Sequence, residues 1–154
     1  MTPRFTLEAA ARALVGRLAP AELDALPMIS AGFHHDRDVR RRITYDVLRA
    51  RAAGPEAVAP VAVVLLNALA TDLLAGWAGD DDGLLGRWRR RRAVAASIDR
   101  PAAPESELPH LEGEQAARVA LRCREFALLS GLPEVQAETM ARLIAEMLVT
   151  APVG

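Results

Sequence analysis

The stretch that decides the fold is PVAVVLLNALATDLLAGW, residues Pro60–Trp77, which lies within the longest apolar run of the chain, Ala57–Trp77. An apolar run of this length is also typical of a membrane-spanning helix. However, Asn67, Thr71 and Asp72 interrupt the run, and an aspartate at bilayer depth costs at least about 2.5 kcal/mol. We therefore expect a buried helix over residues 60–77, and no membrane span.

Helical periodicity dominates the sequence on both sides of this run. Apolar residues recur at intervals of three and four, and typical capping residues, glycines and prolines mark the ends of the segments. The predicted helices cover residues 7–18, 20–26, 36–53, 60–77, 84–98, 112–130 and 133–149, with a short further piece over residues 28–33. The fold class is therefore all-α, a single compact bundle of about six to seven helices around the central apolar helix, with a C-terminal helical hairpin.

The domain organisation follows from the prolines between residues 100 and 111. We expect residues 1–99 to form the helical bundle and residues 100–111 to form a proline-rich loop. Residues 112–154 are expected to form the hairpin, docked on the bundle as part of one domain, because 154 residues suit a single domain.

The composition excludes several classes of protein. Nineteen basic residues, all of them arginine, oppose twenty acidic ones, so the chain is neither a basic nucleic-acid coat nor an acidic tail. An apolar fraction of 51% excludes a wholly disordered protein. A single cysteine excludes a disulfide framework. The excess of arginine and alanine fits a bacterial genome of high GC content, and the free thiol and the lack of an export signal lead us to expect a cytoplasmic location.

The densest charge run is RWRRRR, which follows the aspartates Asp80–Asp82. Its candidate contacts for a partner or an anion are Arg87, Arg89, Arg90, Arg91 and Arg92. We expect Leu84, Leu85 and Trp88 to face the packed side of this helix. The arginines then form a solvated face, a docking site for an acidic protein surface, or a clamp for nucleic acid or anionic lipid. Six consecutive helical residues point in all directions, and the aspartates offset the charge, so the sequence does not favour nucleic acid.

The polar residues of the central run are a second candidate site. Asn67, Thr71 and Asp72, with Trp77 nearby, are expected either to line a ligand pocket or to make polar contacts between helices. The alternative is a stripe that faces solvent on a less buried helix.

The sequence offers only weak candidates for metal binding or catalysis. His34, His35, Asp36 and Asp38 are metal-ligating residue types, but adjacent residues do not share a helix face. We expect Asp36 or Asp38 to cap a helix and the histidines to lie in a loop. Cys123 lies on an apolar stripe and is expected to pack in the core. No metal, no cofactor and no catalytic residue is assigned.

The function predicted from these observations is a non-catalytic helical protein–protein interaction module: an adaptor, an assembly factor or a regulatory subunit. The separated acidic and basic segments favour a protein partner, and the hairpin favours a homo-oligomer. Two alternatives remain open. One is a small-molecule-binding domain with a pocket at Asn67, Thr71 and Trp77, and the other is a nucleic-acid-binding regulator that uses Arg87–Arg92.

Overall fold

The computed structural model describes residues 5–50, 58–79 and 83–149, and these residues form seven α-helices. The helices are α1 (Leu7–Leu18), α2 (Leu26–His35), α3 (Arg37–Leu48), α4 (Val58–Asp72), α5 (Leu84–Ala96), α6 (Gly113–Leu129) and α7 (Glu134–Val149). A 3₁₀ turn, Pro20–Glu22, follows α1, and a π-helical turn, Leu73–Trp77, continues α4. The described residues contain no β-strand, so the predicted all-α bundle is confirmed.

Helix α4 lies at the centre of the bundle, as its sequence predicts. Its side chains are buried on every side from Val61 to Leu69, which is the pattern of a helix enclosed by other helices. Helices α1, α2, α3 and α5 pack directly on it, and α6 and α7 form a hairpin that contacts α4 and α1. The buried residues of all these helices form one continuous core.

The length of α4 also bears on the membrane question. Its 15 residues rise about 22 Å, which is short of the roughly 30 Å of a bilayer core. Among the residues that the structure describes, no helix combines the length and the apolar character needed to cross a membrane.

The N-terminal end of α4 is held by a buried carboxylate from outside the helix. Glu22, in the 3₁₀ turn, is only 2% exposed, and its Oε1 accepts a hydrogen bond of 2.8 Å from the amide of Ala59. The first amides of a helix have no partner within the helix and carry partial positive charge. Glu22 therefore caps the central helix across a tertiary contact.

The predicted proline-rich loop, residues 100–111, is ordered and crosses the N-terminal end of α1; we call it the strap. The amides of Leu7 and Glu8 donate to the carbonyl oxygens of Ser106 and Pro104 at 2.9 and 3.0 Å. The amide of Leu108 donates to the carbonyl of Phe5 at 2.8 Å. The strap thus supplies hydrogen-bond acceptors for the first amides of α1, which have no partner within the helix.

Two predictions around α2 were wrong. The helix predicted over residues 20–26 is replaced by the 3₁₀ turn Pro20–Glu22, and α2 begins at Leu26, with Pro27 in its first turn. A proline is tolerated there because the amide that it lacks has no partner within the helix. Helix α2 then continues to His35, so both histidines are helical and not loop residues.

The boundaries of α3 were predicted in part. Asp36 caps its start, since Oδ1 accepts from the amides of Asp38 and Val39 at 3.0 and 3.3 Å, which confirms one of the two proposed caps. The helix was expected to reach Ala53 but ends at Leu48, and Ala50 after it has a positive φ of 55°. The predicted stop at Gly54-Pro55 lies outside the described residues.

Candidate interaction surface

Helix α5 carries its apolar residues on the outside. Leu84, Leu85 and Trp88 are 77%, 55% and 54% exposed, whereas the buried side of the helix is formed by Gly86, Arg90 and Val94. The prediction that the two leucines and the tryptophan face the packed side was therefore wrong. A helix with arginine inside and tryptophan outside has the reverse of the usual polarity.

The reason for this polarity lies at the end of the central helix. Arg90 donates to the carbonyl of Gly76 at 3.4 Å, and Arg122, on α6, donates to the carbonyl of Trp77 at 2.8 Å. The last carbonyls of a helix have no partner within it and carry partial negative charge. Two buried guanidinium groups therefore cap the π turn, and α5 must turn its arginine inward to supply one of them.

Other arginines of the run also bind within the chain. Arg87 forms two parallel hydrogen bonds of 3.0 Å with the carboxylate of Glu125, a pairing that arginine geometry favours. Arg90 lies 3.7 Å from the same carboxylate. Arg91 donates to the carbonyl of Leu48 at the end of α3. These three arginines thus attach α5 to α3, α6 and the π turn.

Arg89 and Arg92 of the same run are exposed. The guanidinium carbon of Arg92 lies 5.1 Å from the centroid of the Trp88 ring, which is the geometry of a cation–π contact. Because side chains four residues apart are neighbours on a helix, Leu84, Trp88 and Arg92 form one row, with Leu85 and Arg89 beside it. We call these five residues the α5 ridge.

The α5 ridge has the chemistry of a binding surface. It combines exposed apolar area with guanidinium donors, and tryptophan and arginine are the residue types most enriched among the energetically dominant residues of interfaces. It contains no nucleophile and no general base. The ridge can therefore bind an apolar group flanked by hydrogen-bond acceptors, but it offers no residue for covalent or acid–base chemistry.

The polar residues of the central helix do not converge on one site. Asn67 is fully buried, and its Oδ1 accepts from the amide of Ala102 in the strap at 2.8 Å. Thr71 is exposed and donates to the carbonyl of Asn67 at 3.1 Å, within its own helix. Trp77 is fully buried, with its ring edge-on to Phe126 at 5.8 Å. Asn67 thus makes a polar contact with the strap, while Trp77 packs in the core.

Asp72 stands apart from this group. Its carboxylate lies over the π turn, so close that a Cβ added at Gly76 would come within 2.4 Å of Oδ2. Partial burial raises the pKa of Asp72 above its ordinary value. Because Gly76 has no Cβ, the carboxylate of Asp72 can lie against the backbone of the π turn.

The weak metal candidates have structural roles or are exposed. His34 is half-buried and donates from Nδ1 to the carbonyl of Ala102 at 2.9 Å, and its burial lowers the pKa of the imidazole. His35, Asp36 and Asp38 are exposed, and Asp36 is the cap of α3. Within residues 5–50, 58–79 and 83–149, no group of three or more histidine, cysteine, aspartate or glutamate side chains is arranged to hold a metal ion.

Cys123 is fully buried on α6, as its apolar stripe predicts. Burial raises the pKa of the thiol well above its ordinary value. The reactive form of cysteine is the thiolate, so this residue is an inert part of the core.

One buried residue escaped prediction. Arg40, on α3, is buried and donates to the carbonyls of Phe33 and Ile98 at 2.9 and 2.6 Å. With Asn67 and His34, it fixes the chain where the strap begins. No local signal marks this arginine, because the carbonyl of Ile98 is 58 residues away in sequence.

Comparison with known proteins adds no relative to this description. No protein-family model, no curated protein and no solved structure matches the chain.

Proposed function

We propose that this chain is a non-catalytic helical protein–protein interaction module, an adaptor, assembly factor or regulatory subunit, and that the α5 ridge is its docking surface. The observation that carries the proposal is the reversed polarity of α5, which leaves Leu84, Leu85 and Trp88 in water. Burying one large apolar side chain is worth about 1.5–3 kcal/mol. A partner that covers all three therefore gains substantial binding free energy.

The proposed partner is a protein with an apolar contact area bordered by carboxylates. Arg89 and Arg92 lie beside the apolar residues of the ridge, and opposite charge around an apolar centre guides association and fixes the orientation of the two surfaces. The contact between Arg92 and Trp88 also holds both side chains in place before binding. Less side-chain freedom is then lost on binding.

The first test is affinity capture of the tagged full chain from its own lysate at low salt, with mass spectrometry of the eluate. We expect a stoichiometric protein partner that the double variant Leu84→Ser/Trp88→Ser no longer captures. The matched control is Met28→Ser, since Met28 is 78% exposed on α2, away from the ridge. A partner retained by the double variant would refute the assignment of the surface, and no partner at all would refute the proposed function.

The charge of the partner is tested with Arg89→Gln/Arg92→Gln. Affinity for the captured protein is expected to fall about tenfold or more, since an interfacial charge pair is worth at least about 1.5 kcal/mol in measured cases. The salt dependence of binding should weaken in parallel. Equal affinity for the variant and the wild type would exclude an acidic partner surface.

The nucleic-acid alternative is tested in the same eluate by the ratio of absorbance at 260 and 280 nm. Arg87, Arg90 and Arg91 already bind acceptors within the chain, so we expect a ratio typical of protein alone. A high ratio that falls with salt would indicate that the partner is a nucleic acid and not a protein.

Self-association through the hairpin of α6 and α7 is a separate proposal, because Leu121 and Val135 are exposed on it. Sedimentation equilibrium of the wild type and of Leu121→Ser/Val135→Ser tests it, with a shift to monomer expected for the variant. We propose the cytoplasm as the compartment in which to seek the partner, since the one cysteine is a free thiol.

A further inference from the structure

A cleft of about 400 Å³ opens between α1, α2 and the strap, away from the α5 ridge. Helix α1 packs mainly on α4 and α7, and α2 packs mainly on α3 and α4, so the two helices have little direct contact with each other beside the cleft. Leu23 and Leu26 line its apolar part together with Ala11, and Pro27 and Pro104 complete it. The volume lies within the range of small-molecule sites, which are mostly apolar with few polar groups.

The polar groups of the cleft are mainly donors. Arg12, Ser30 and His35 line it, and each carries at least one N–H or O–H group. Glu8 is the only ionised acceptor among the lining residues, and it pairs with Arg12 at 3.3 Å. Both of these side chains are more than half exposed, and an exposed ion pair contributes little to stability. Arg12 is therefore able to exchange this carboxylate for another.

The wall at Pro104 is held in a fixed position. The carbonyl of Pro104 accepts from the amide of Glu8, and two residues earlier Ala102 is bound through its amide to Asn67 and through its carbonyl to His34. A cleft whose wall is fixed before the ligand arrives loses less free energy to ordering on binding. Asn67 was expected to line a pocket. It is not among the residues that line this cleft, but it positions the strap that forms one of its walls.

We propose that this cleft binds a small monocarboxylate with an apolar body, such as a medium-chain fatty acid. The apolar body lies against Leu23 and Leu26, and the carboxylate accepts hydrogen bonds from the guanidinium of Arg12 and from Ser30 or His35. An arginine and a carboxylate form two parallel hydrogen bonds, which gives both strength and orientation. An ammonium head group would find Glu8 as the only ionised acceptor among the lining residues and would lie beside the positive guanidinium of Arg12, so the lining disfavours it.

The test is isothermal titration of the full chain with octanoate, octylammonium and octanol at pH 7.5. We expect octanoate to bind one to one with a Kd below about 1 mM, an affinity within the bounds for a ligand of about ten heavy atoms. Octylammonium and octanol are expected to bind at least about tenfold more weakly, since each loses the paired hydrogen bonds worth roughly 1.4 kcal/mol or more. No binding of octanoate at 10 mM, or equal binding of octylammonium, would overturn the proposal.

Matched variants locate the binding site. Ala31 lines the cleft and is exposed, so Ala31→Trp should fill the cleft without disturbing the core and should abolish octanoate binding. Ala13→Trp, at an exposed position of α1 outside the cleft, is its control. Arg12→Gln should remove the preference for the carboxylate, whereas Arg17→Gln should not. Binding that survives Ala31→Trp would place the ligand elsewhere and refute this site.

Discussion

Arg90 shows how a charged side chain can be placed in the interior. Its guanidinium reaches the carbonyl of Gly76 and lies near the carboxylate of Glu125, so its charge and its donors are matched. Arg92, two residues further on, is exposed and rests on an indole ring. The same residue type therefore has two different roles within one turn of helix.

The contrast between these arginines predicts two different costs. Arg90→Ala should lower the free energy of unfolding by about 1–3 kcal/mol, because a buried carbonyl loses a charged donor and Glu125 loses a partner. Arg92→Ala should change it by no more than about 0.5 kcal/mol, as is usual for surface positions. Urea denaturation of both variants measures the difference, and equal values would contradict the internal role of Arg90.

Gly131 is the residue at which backbone conformation alone decides the choice of amino acid. It follows α6 with φ of 98°, and the amides of Gly131 and Leu132 donate to the carbonyls of Leu128 and Ala127 at 3.1 and 3.0 Å. This is the Schellman end of a helix, which requires a left-handed residue after the cap. Gly131 lies in the gap between the two helices predicted over residues 112–130 and 133–149.

Gly131→Ala should therefore destabilise the fold by about 1–2 kcal/mol, the cost of placing a Cβ in the left-handed region. Gly113→Ala, at the first residue of α6, is the matched control, because a Cβ there meets no atom within 4 Å. Thermal unfolding of both variants gives the comparison. If the two melting temperatures changed alike, conformational strain at Gly131 would not be the cause.

At the scale of the helix, the sequence predicted elements whose ends are decided locally. Thr6 accepts from the amide of Ala9 and begins α1, whose predicted bounds Leu7–Leu18 are those observed. The inward side of α5 was predicted wrongly, because it depends on the carbonyl of Gly76 and the carboxylate of Glu125, which Arg90 faces. A local pattern places leucine and tryptophan inside, and only the tertiary contact to the end of α4 explains why they are not.

The start of α4 supplies a prediction at this scale. Glu22→Ala removes the acceptor of the Ala59 amide and should cost about 1–2 kcal/mol, the usual value of a helix cap. Hydrogen exchange should also quicken at the first amides of α4 and not at its centre. Glu8→Ala is the control, as Glu8 is exposed. Uniformly faster exchange along α4 would show global destabilisation and not the loss of a cap.

At the scale of the whole molecule, the sequence established the bundle but not how distant segments are joined. The strap was predicted as a loop from its prolines, yet its partners Asn67 and His34 carry no local signal of that role. The same holds for the α5 ridge, whose exposure depends on contacts between α5 and three other elements. The spacing of residues along the chain does not predict contacts between residues that are far apart in sequence.

The strap also makes the stability of the whole molecule depend on pH. Burial lowers the pKa of His34 in the folded state, so the unfolded chain binds the proton more readily. The stabilising contribution of neutral His34 is therefore complete above its ordinary pKa of 6.5 and is lost as the pH falls below it. We expect a lower urea midpoint at pH 5 than at pH 7.5.

His34→Gln isolates this contribution, since glutamine donates to the carbonyl of Ala102 but does not titrate. The difference between wild type and variant should change from pH 7.5 to pH 5, with the wild type losing more stability. Asp72 acts in the opposite sense, because its raised pKa favours the folded state as the pH falls. Its contribution is present in both proteins and cancels in the difference. An unchanged difference would exclude His34 as the source.

The hydrogen bonds between the strap and α1 have a consequence for the order of events during synthesis. The first helix leaves the ribosome before the strap does, but its opening amides obtain their acceptors from Pro104 and Ser106, far downstream in the sequence. In a nascent chain that does not yet include the strap, the first amides of α1 lack these hydrogen-bond acceptors. The first turn of α1 is therefore completed only after synthesis has passed the strap, and products truncated before the strap are marked by an open N-terminal turn.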